Sequence, residues 1–520
     1  MMTAEISVFL KNLKFFSIFL IVTGYSAFVF HIEQGFPVRK FVYDLAVFYT
    51  LYGILLLVTR RNLFSWFVSL CALMIFFLLS NRKLELMNAY LIKDDVIFAL
   101  KNPLFTLDFI SIGIAVFLVV FFIFGVLILW FEQKDLKVIT FPRVGLFLCM
   151  LIISIWMPGQ KEFVYHIDRP AKTRALLQFV ASFRNDYGLI IPAPPSNAQH
   201  SCCAQANLAD LSLTRVGGAR DKNIIVILME STFDLGTLGL KDHQSNFFKL
   251  PFFPLKTYVV GGGTWVEEFA FLHGVPPSLY GENYKAINTL GMGRLAGRIA
   301  PALGDAGYEL KTFSISDRGF YGGEKMHKSL GIESYYSSED RVNKSNGDLG
   351  SADEAILNDV LQNVRESRAP SFIFVTTEIN HSPHDKKYLN VKPTENYSEN
   401  QISIIKEYYE REAKFYENMF NFIDGLNGLT RDSIVIFFGD HIPAAIYENF
   451  SSKDFKRGQY STIGLMYSTQ KKDFLKIEKV LGCYPEGLQI SDLDVIAMHA
   501  ADFKSIYIEE KLKAITESCL

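Results

Sequence analysis

Residues 223–230 read NIIVILME and residues 434–441 read IVIFFGDH. Each is a short, almost unbroken apolar run rich in β-branched or aromatic side chains, the pattern of a strand covered on both faces. Each closes on chemistry: Glu230 ends the first, and Asp440 with His441 ends the second. Open α/β sheets place ligands outside the carboxyl ends of their strands, so these groups are expected at one rim of one sheet. A third piece, GGGTW at 261–265, sets Thr264 after three glycines and before the helical stretch WVEEFAFLHG.

Working outward, further strands are expected at 309–314, 371–377 and 462–467, and helices at 292–306, 352–367 and 401–425. Strands alternating with amphipathic helices predict a mostly parallel sheet with helices on both faces, an α/β domain over 222–520. The chain before it is different. Of the 520 residues 50% are hydrophobic, and the excess concentrates in runs at 13–30, 42–58, 63–79, 107–129 and 141–156. Apart from Lys14, Asp44, Asp108 and Arg143 near their first positions these runs carry no charge, and most have the roughly 17 to 25 residues that a bilayer requires. The fold class expected is therefore an α-helical membrane domain of five transmembrane helices over 1–158, followed by the α/β domain.

Residues 159–221 connect the two. Leu176, Leu177, Phe179, Val180 and Phe183 recur toward one side of a helix that packs in the ordinary way or lies in a membrane interface. PAPPSNAQHSCC then reads as linker. Lys and Arg flank the spans on both sides with a slight preference for a cytoplasmic N-terminus, and five crossings then place the catalytic part outside the cytoplasm. The first span reads as a retained anchor. Cys202, Cys203, Cys483 and Cys519 form up to two disulfides if that compartment is oxidising. A net charge of −2 says nothing about nucleic acid, and no basic tract interleaved with aromatics points to it, so no nucleic-acid partner is expected.

Glu230, Asp440 and His441 offer two carboxylates and an imidazole, and the Thr264 hydroxyl supplies a fourth ligand, the open arrangement of a catalytic Zn2+ site. Mixed oxygen and nitrogen ligands also accept Mn2+ or Mg2+. A threonine hydroxyl is nearly inert at neutral pH and needs a metal or a base to become a nucleophile, while a helix N-terminus favours an approaching phosphate. Taken alone, GGGTW is equally a tight turn in which Thr264 caps the helix.

Strand-Glu-Ser, Gly-rich-Thr, the Asn-His-Ser-Pro of EINHSPH and strand-Gly-Asp-His, in that order, resemble the alkaline phosphatase and sulfatase superfamily. With the membrane block ahead of it, the chain is similar to the bacterial membrane phosphoethanolamine transferases and to the lipoteichoic acid synthase and phosphoglycerol transferase group. The resemblance implies a metal site of Glu230, Thr264, Asp440 and His441, a covalent phospho-intermediate on Thr264, and His381 at the phosphoryl group or leaving oxygen. It implies a bacterial inner-membrane enzyme with a periplasmic catalytic domain. That enzyme moves phosphoethanolamine from phosphatidylethanolamine to a lipopolysaccharide sugar, a core heptose or lipid A. A phosphoglycerol transferase acting on periplasmic glucan or capsule is the alternative, and an inactive membrane sensor or assembly protein is an alternative of another class.

Two departures bear on the group transferred. The Trp and Arg that grip glycerol phosphate in lipoteichoic acid synthases fall at Tyr321 and Gly323 here, so the Arg is missing. Asp317 and Arg318 lie close by and are expected, with Tyr321 and Glu267, to touch substrate; an ammonium headgroup would meet carboxylates such as Glu267, Glu268, Asp317 or Glu324. True sulfatases modify a Cys or Ser within a Cys-x-Pro-x-Arg type sequence, whereas Cys483-Tyr-Pro-Glu-Gly lacks the Arg and lies far downstream of the nucleophile.

Overall fold

The computed structural model describes residues 38–87, 112–132, 213–215, 221–240, 252–277, 298–340, 349–388, 397–483 and 488–516, with a few short pieces between 91 and 190. The chain divides into two units, Met1–Ile190 and Ile191–Leu520.

In the first unit, α1 (Val38–Thr59), α2 (Asn62–Met87) and α3 (Ile112–Phe131) coincide with the second, third and fourth expected spans. Among the described residues one stretch, Asn62–Lys83, is long and apolar enough to cross a bilayer. The first expected span and most of the fifth lie outside the described residues. Glu132 accepts the backbone N–H groups of Leu63 (2.6 Å) and Phe64 (2.7 Å), so an acidic side chain satisfies the free donors at the start of α2. Most of the expected connecting region at 159–221 also lies outside the described residues.

The second unit is built on one eight-stranded sheet. Its strands are β1 (Asn223–Met229), β2 (Phe252–Lys256), β3 (Glu309–Ser314), β4 (Ser334–Tyr336), β5 (Ser371–Thr376), β6 (Ser433–Gly439), β7 (Ser461–Ser468) and β8 (Leu488–Gln489). They lie in the order β8-β2-β7-β6-β1-β5-β3-β4. Only β7 runs against the other seven, so the sheet is mostly parallel but mixed. Every residue of β1, β5 and β6 is buried, which explains why these strands are continuous apolar runs without an alternating polar face.

The sequence expectation missed β2, β4 and β8. Pro254 lies inside β2 and argues against a strand on sequence grounds; it is tolerated because the outer neighbour β8 pairs only with Leu255 and Lys256. The other two are short, at three and two residues. Of the expected helices, 292–306 is reduced to Ile299–Asp305 within the described residues, while the other two run slightly beyond their expected bounds.

Helix α4 (Thr264–His273) follows the glycine loop, α5 (Gly323–Ser329) follows β3, and α6 (Leu349–Glu366) leads to β5. Helix α7 (Glu399–Asn427) starts from a capping box in which Ser398 and Gln401 satisfy each other's backbone N–H. Its apolar stripe, including Phe415, Met419, Phe422 and Leu426, joins Ile225, Ile373 and Val435 of the central strands in one core. Each such side chain, once fully buried, contributes about 1.5–3 kcal/mol. Cys71 and Cys149 are free thiols and Cys483 is disulfide-bonded; Cys202, Cys203 and Cys519 lie outside the described residues.

The end of β6 is packed against backbone. A Cβ placed on Gly439 would lie 2.0 Å from the Thr232 carbonyl oxygen and 2.2 Å from the Thr462 hydroxyl. Gly439→Ala is therefore expected to destabilise the domain by about 1–3 kcal/mol, read as a lowered thermal midpoint; an unchanged midpoint would contradict this packing.

Candidate active site

Strand register builds the site. Strands β1 and β6 are adjacent and parallel, with Met229 opposite Gly439, so the next residues, Glu230 and Asp440, leave the sheet side by side. Thr264 reaches them from the first turn of α4. The turn before it holds Gly261, Gly262 and Gly263 at φ of 66°, 140° and 106°, a backbone course that side-chain-bearing residues rarely follow.

The Thr264 hydroxyl donates to Glu230 Oε2 at 2.6 Å and lies 3.3 Å from His441 Nε2. His441 Nδ1 sits 3.0 Å from the Ile442 carbonyl, which can only accept, so Nδ1 carries a proton and Nε2 of the neutral ring is an acceptor. That acceptor lies 3.2 Å from Asp440 Oδ2 and 3.6 Å from Glu230 Oε1. Asp440 Oδ2 is buried and no hydrogen-bond donor reaches it. Three electron-rich atoms thus face one another in a largely buried site.

Such a cluster suits a cation. Glu230, Asp440 and His441 present ligand atoms within 4.8 Å of one another. The orphaned oxygen and the imidazole tautomer fit a divalent metal, with Thr264 as a further oxygen donor. Burial pushes the Asp440 carboxyl well above the usual range, and the neighbouring Glu230 charge adds to the shift. Burial also acts against ionised Glu230, but the facing His441 and His381 and the hydroxyls of Thr264 and Ser231 hold it below the usual range.

Ser231 joins the two carboxylates. It sits at φ 51°, in the left-handed region, with its N–H donating to Asp440 Oδ1 (2.7 Å) and its hydroxyl to Glu230 Oε1 (2.9 Å). The strained turn aims one donor at Asp440 Oδ1, outside the central cluster, and the other at Glu230 Oε1 within it.

His381 stands on the loop after β5, within electrostatic reach of Glu230 and Glu378. Its Nδ1 is 2.7 Å from the Ser382 carbonyl, leaving Nε2 as the second functional atom. Tyr321 lies against this site: its ring is 5.4 Å from that of Trp265, it lies within electrostatic reach of Glu230, and its φ is 36°. The phenol donates to Glu268 Oε1 at 2.9 Å, and the other Glu268 oxygen is 3.4 Å from His327 Nε2. Asp317 accepts the Ser338 hydroxyl at 2.6 Å and remains within electrostatic reach of Glu378.

Two residues expected to touch substrate already have partners within the fold. Glu267 is fully buried and accepts the backbone N–H groups of Tyr258 (2.5 Å) and Val259 (3.1 Å), so it ties the loop after β2 to α4. Adjacent helical positions point about 100° apart, and it is Glu268 that turns toward Tyr321. Arg318 is engaged by Glu324 at 2.9 Å and by Asp340, and donates to the Tyr335 carbonyl, so its guanidinium is committed to the fold. A cavity of about 610 Å³ lined by Asp221, Arg365 and Asp432 opens at the opposite end of the strands and contains none of these groups.

Residues 222–478 match the sulfatase family. The domain belongs to the sulfatase and alkaline phosphatase superfamily. A Haemophilus influenzae chain described as an uncharacterized protein is 24% identical over 287 residues, covering 50% of this chain and 51% of that one; the chain thus spans about half the length of the curated relative it matches. A phosphoglycerol transferase of Streptococcus pyogenes, solved with sn-glycerol-1-phosphate, is 18% identical, with 58% of this chain and 87% of that one covered at a TM-score of 0.45. The integral membrane lipooligosaccharide phosphoethanolamine transferase A of Neisseria meningitidis is 12% identical, with 91% and 98% covered at 0.45.

Within this superfamily domain Ser231 is expected to act through the ligands. Ser231→Ala should weaken metal affinity about 10- to 100-fold, read by titration with a competing chelator, while the circular dichroism spectrum stays unchanged. Unaltered affinity would remove Ser231 from the metal's support.

His384, on the same loop as His381, is buried with neither ring nitrogen hydrogen-bonded to protein. Burial first, then the charges of Arg411 and His381, lowers its pKa to about 3. Because the folded pKa is depressed, its contribution is complete above the unfolded value near 6.5 and is lost as pH falls toward 3. Stability should drop by about 1.4 kcal/mol for each pH unit below about 6. His384→Leu should remove that component from melts between pH 7 and pH 5; an identical pH slope would refute it.

Proposed function

We propose that this protein is a membrane-anchored headgroup transferase that carries phosphoethanolamine from phosphatidylethanolamine to a lipopolysaccharide sugar through a phosphorylated Thr264. The observation that carries the reading is the Thr264 hydroxyl at a helix N-terminus, 2.6 Å from Glu230 and 3.3 Å from His441. A nucleophile, a proton acceptor and partial positive charge from backbone N–H groups coincide there.

The catalytic residues are Thr264 and His381, and the metal ligands Glu230, Thr264, Asp440 and His441. A divalent ion at these ligands, Zn2+ by preference and Mn2+ or Mg2+ as alternatives, supplies charge that lowers the hydroxyl pKa and offsets the developing phosphoryl charge. The Thr264 oxygen forms a bond to phosphorus as the bond from phosphorus to the diacylglycerol oxygen breaks. The Thr264 proton passes to Glu230, and His381 protonates the leaving oxygen. A sugar hydroxyl then attacks the phosphothreonine and gives its proton to His381, while the bond from phosphorus to the Thr264 oxygen breaks and Glu230 returns the proton to that oxygen. Dividing the transfer lets a lipid and a bulky glycan use one site in turn.

Membrane anchoring by five spans over 1–158, with residues 222–520 in the periplasm, suits a donor confined to the bilayer. It is supported by the long apolar sequence runs and by α3, whose Phe122 and Trp130 are 70% and 80% exposed, a costly surface in water. The disulfide at Cys483 favours an oxidising compartment. A phosphoglycerol transferase is the second reading, favoured by the aromatic ring of Tyr321 at the site where the lipoteichoic acid synthases carry Trp. The Arg missing near Gly323 weighs against phosphoglycerol and favours an ammonium headgroup.

Intact mass spectrometry after incubation with phosphatidylethanolamine or phosphatidylglycerol in detergent tests both. A phosphoethanolamine adduct on Thr264, absent from Thr264→Ala, is expected. A phosphoglycerol adduct would replace the first reading with the second, and no adduct on metal-loaded protein from either lipid would overturn both. Asp440→Ala should lose metal and turnover together.

A further inference from the structure

The loop that carries His381 is held from two helices by opposite charges. From α6, the Asp353 carboxylate accepts the N–H groups of Glu378 (2.9 Å) and Ile379 (3.2 Å). From α7, the Arg411 guanidinium donates to the carbonyls of His381 (2.7 Å), Pro383 (2.7 Å) and Ile379 (3.4 Å). Arg411 is itself fixed by Glu407 one helical turn earlier, at 2.5 Å. The fork of planar donors is what permits one side chain to grip three carbonyls at once.

The same helix reaches the metal-ligand turn. Tyr408, three residues before Arg411 and so on the same face of α7, brackets Phe233 by accepting its N–H (2.9 Å) and donating to its carbonyl (3.1 Å). Phe233 lies three residues after Glu230. One rigid helix therefore fixes both the turn of Glu230 and the loop of His381.

We infer that Arg411 is a positioning residue: it sets His381 over Glu230 and Thr264, and it touches neither substrate nor metal. The inference rests on the headgroup-transfer reading for what His381 does, and on geometry alone for what Arg411 does. A displacement of about 1 Å can cost 100-fold in rate, so a clamp made of carbonyl contacts has kinetic weight.

The test compares wild type, Arg411→Gln, His381→Ala and the double variant, each as full chain in detergent loaded with Zn2+. Hydrogen exchange read by mass spectrometry reports the loop independently of activity. Arg411→Gln should speed exchange in the peptide spanning 377–385 at least 10-fold and leave those containing Glu230 and Asp440 unchanged, with zinc content unaltered. Phosphothreonine formation should fall about 10- to 100-fold in Arg411→Gln, and the double variant should be within about two-fold of His381→Ala, since residues acting through one group are not additive.

Unchanged loop exchange would overturn the inference, as would a full additive loss in the double variant or zinc lost in step with rate. If His381→Ala reacts at the wild-type rate, the role given to His381 fails, and the exchange measurement still decides whether Arg411 holds the loop.

Discussion

Three electron-rich atoms, on Glu230, Asp440 and His441, meet in a buried space, and the rest of the domain is arranged around that repulsion. Burial first, and then the adjacent Glu230 charge, drives Asp440 toward its protonated form, while the facing His441 and His381 and the hydroxyls of Thr264 and Ser231 keep Glu230 charged against its own burial. The cost of forming the cluster is met by the sheet. Strands β1 and β6 are buried throughout, and their pairing leaves the two acids no other place to go.

Rigidity of the surrounding turns follows from the same need. Ser231, Tyr321 and the three glycines before Thr264 all adopt backbone angles that an ordinary residue avoids, and all border the site. Strain of this kind persists only where neighbouring contacts over-determine it. Here those contacts are the Ser231 hydrogen bonds to both acids, the packing of Tyr321 on Trp265, and the Ile442 carbonyl that accepts the Gly261 N–H at 3.0 Å.

The core strands were legible in the sequence because burial on both faces leaves no polar position to interrupt the run, as in residues 224–229 and 434–438. The glycine loop was legible because a course of positive φ leaves a compositional trace. What the sequence could not express was direction. Glu267 and Glu268 are adjacent acids on one helix, yet one ties down the backbone of Tyr258 and the other supports Tyr321. Arg318 reads as a substrate contact until Glu324 and Asp340 are seen around it. Strand β2 was hidden by Pro254, whose missing N–H matters little beside so short a partner as β8.

Arg411 was illegible for a related reason. On an amphipathic helix a charged residue four positions after a glutamate reads as a solvated pair of small worth, about 0.3–0.5 kcal/mol. Its contacts give it another meaning, because the carbonyls it grips belong to a loop remote in sequence and next to the reacting atoms. Helix α7 is long for an ordinary covering helix, at 29 residues, and its length lets one face serve the core through Phe415 to Leu426 while its earlier turns serve the site. The placement of the His381 loop in this domain thus depends on a helix that contributes none of Glu230, Thr264, Asp440 and His441.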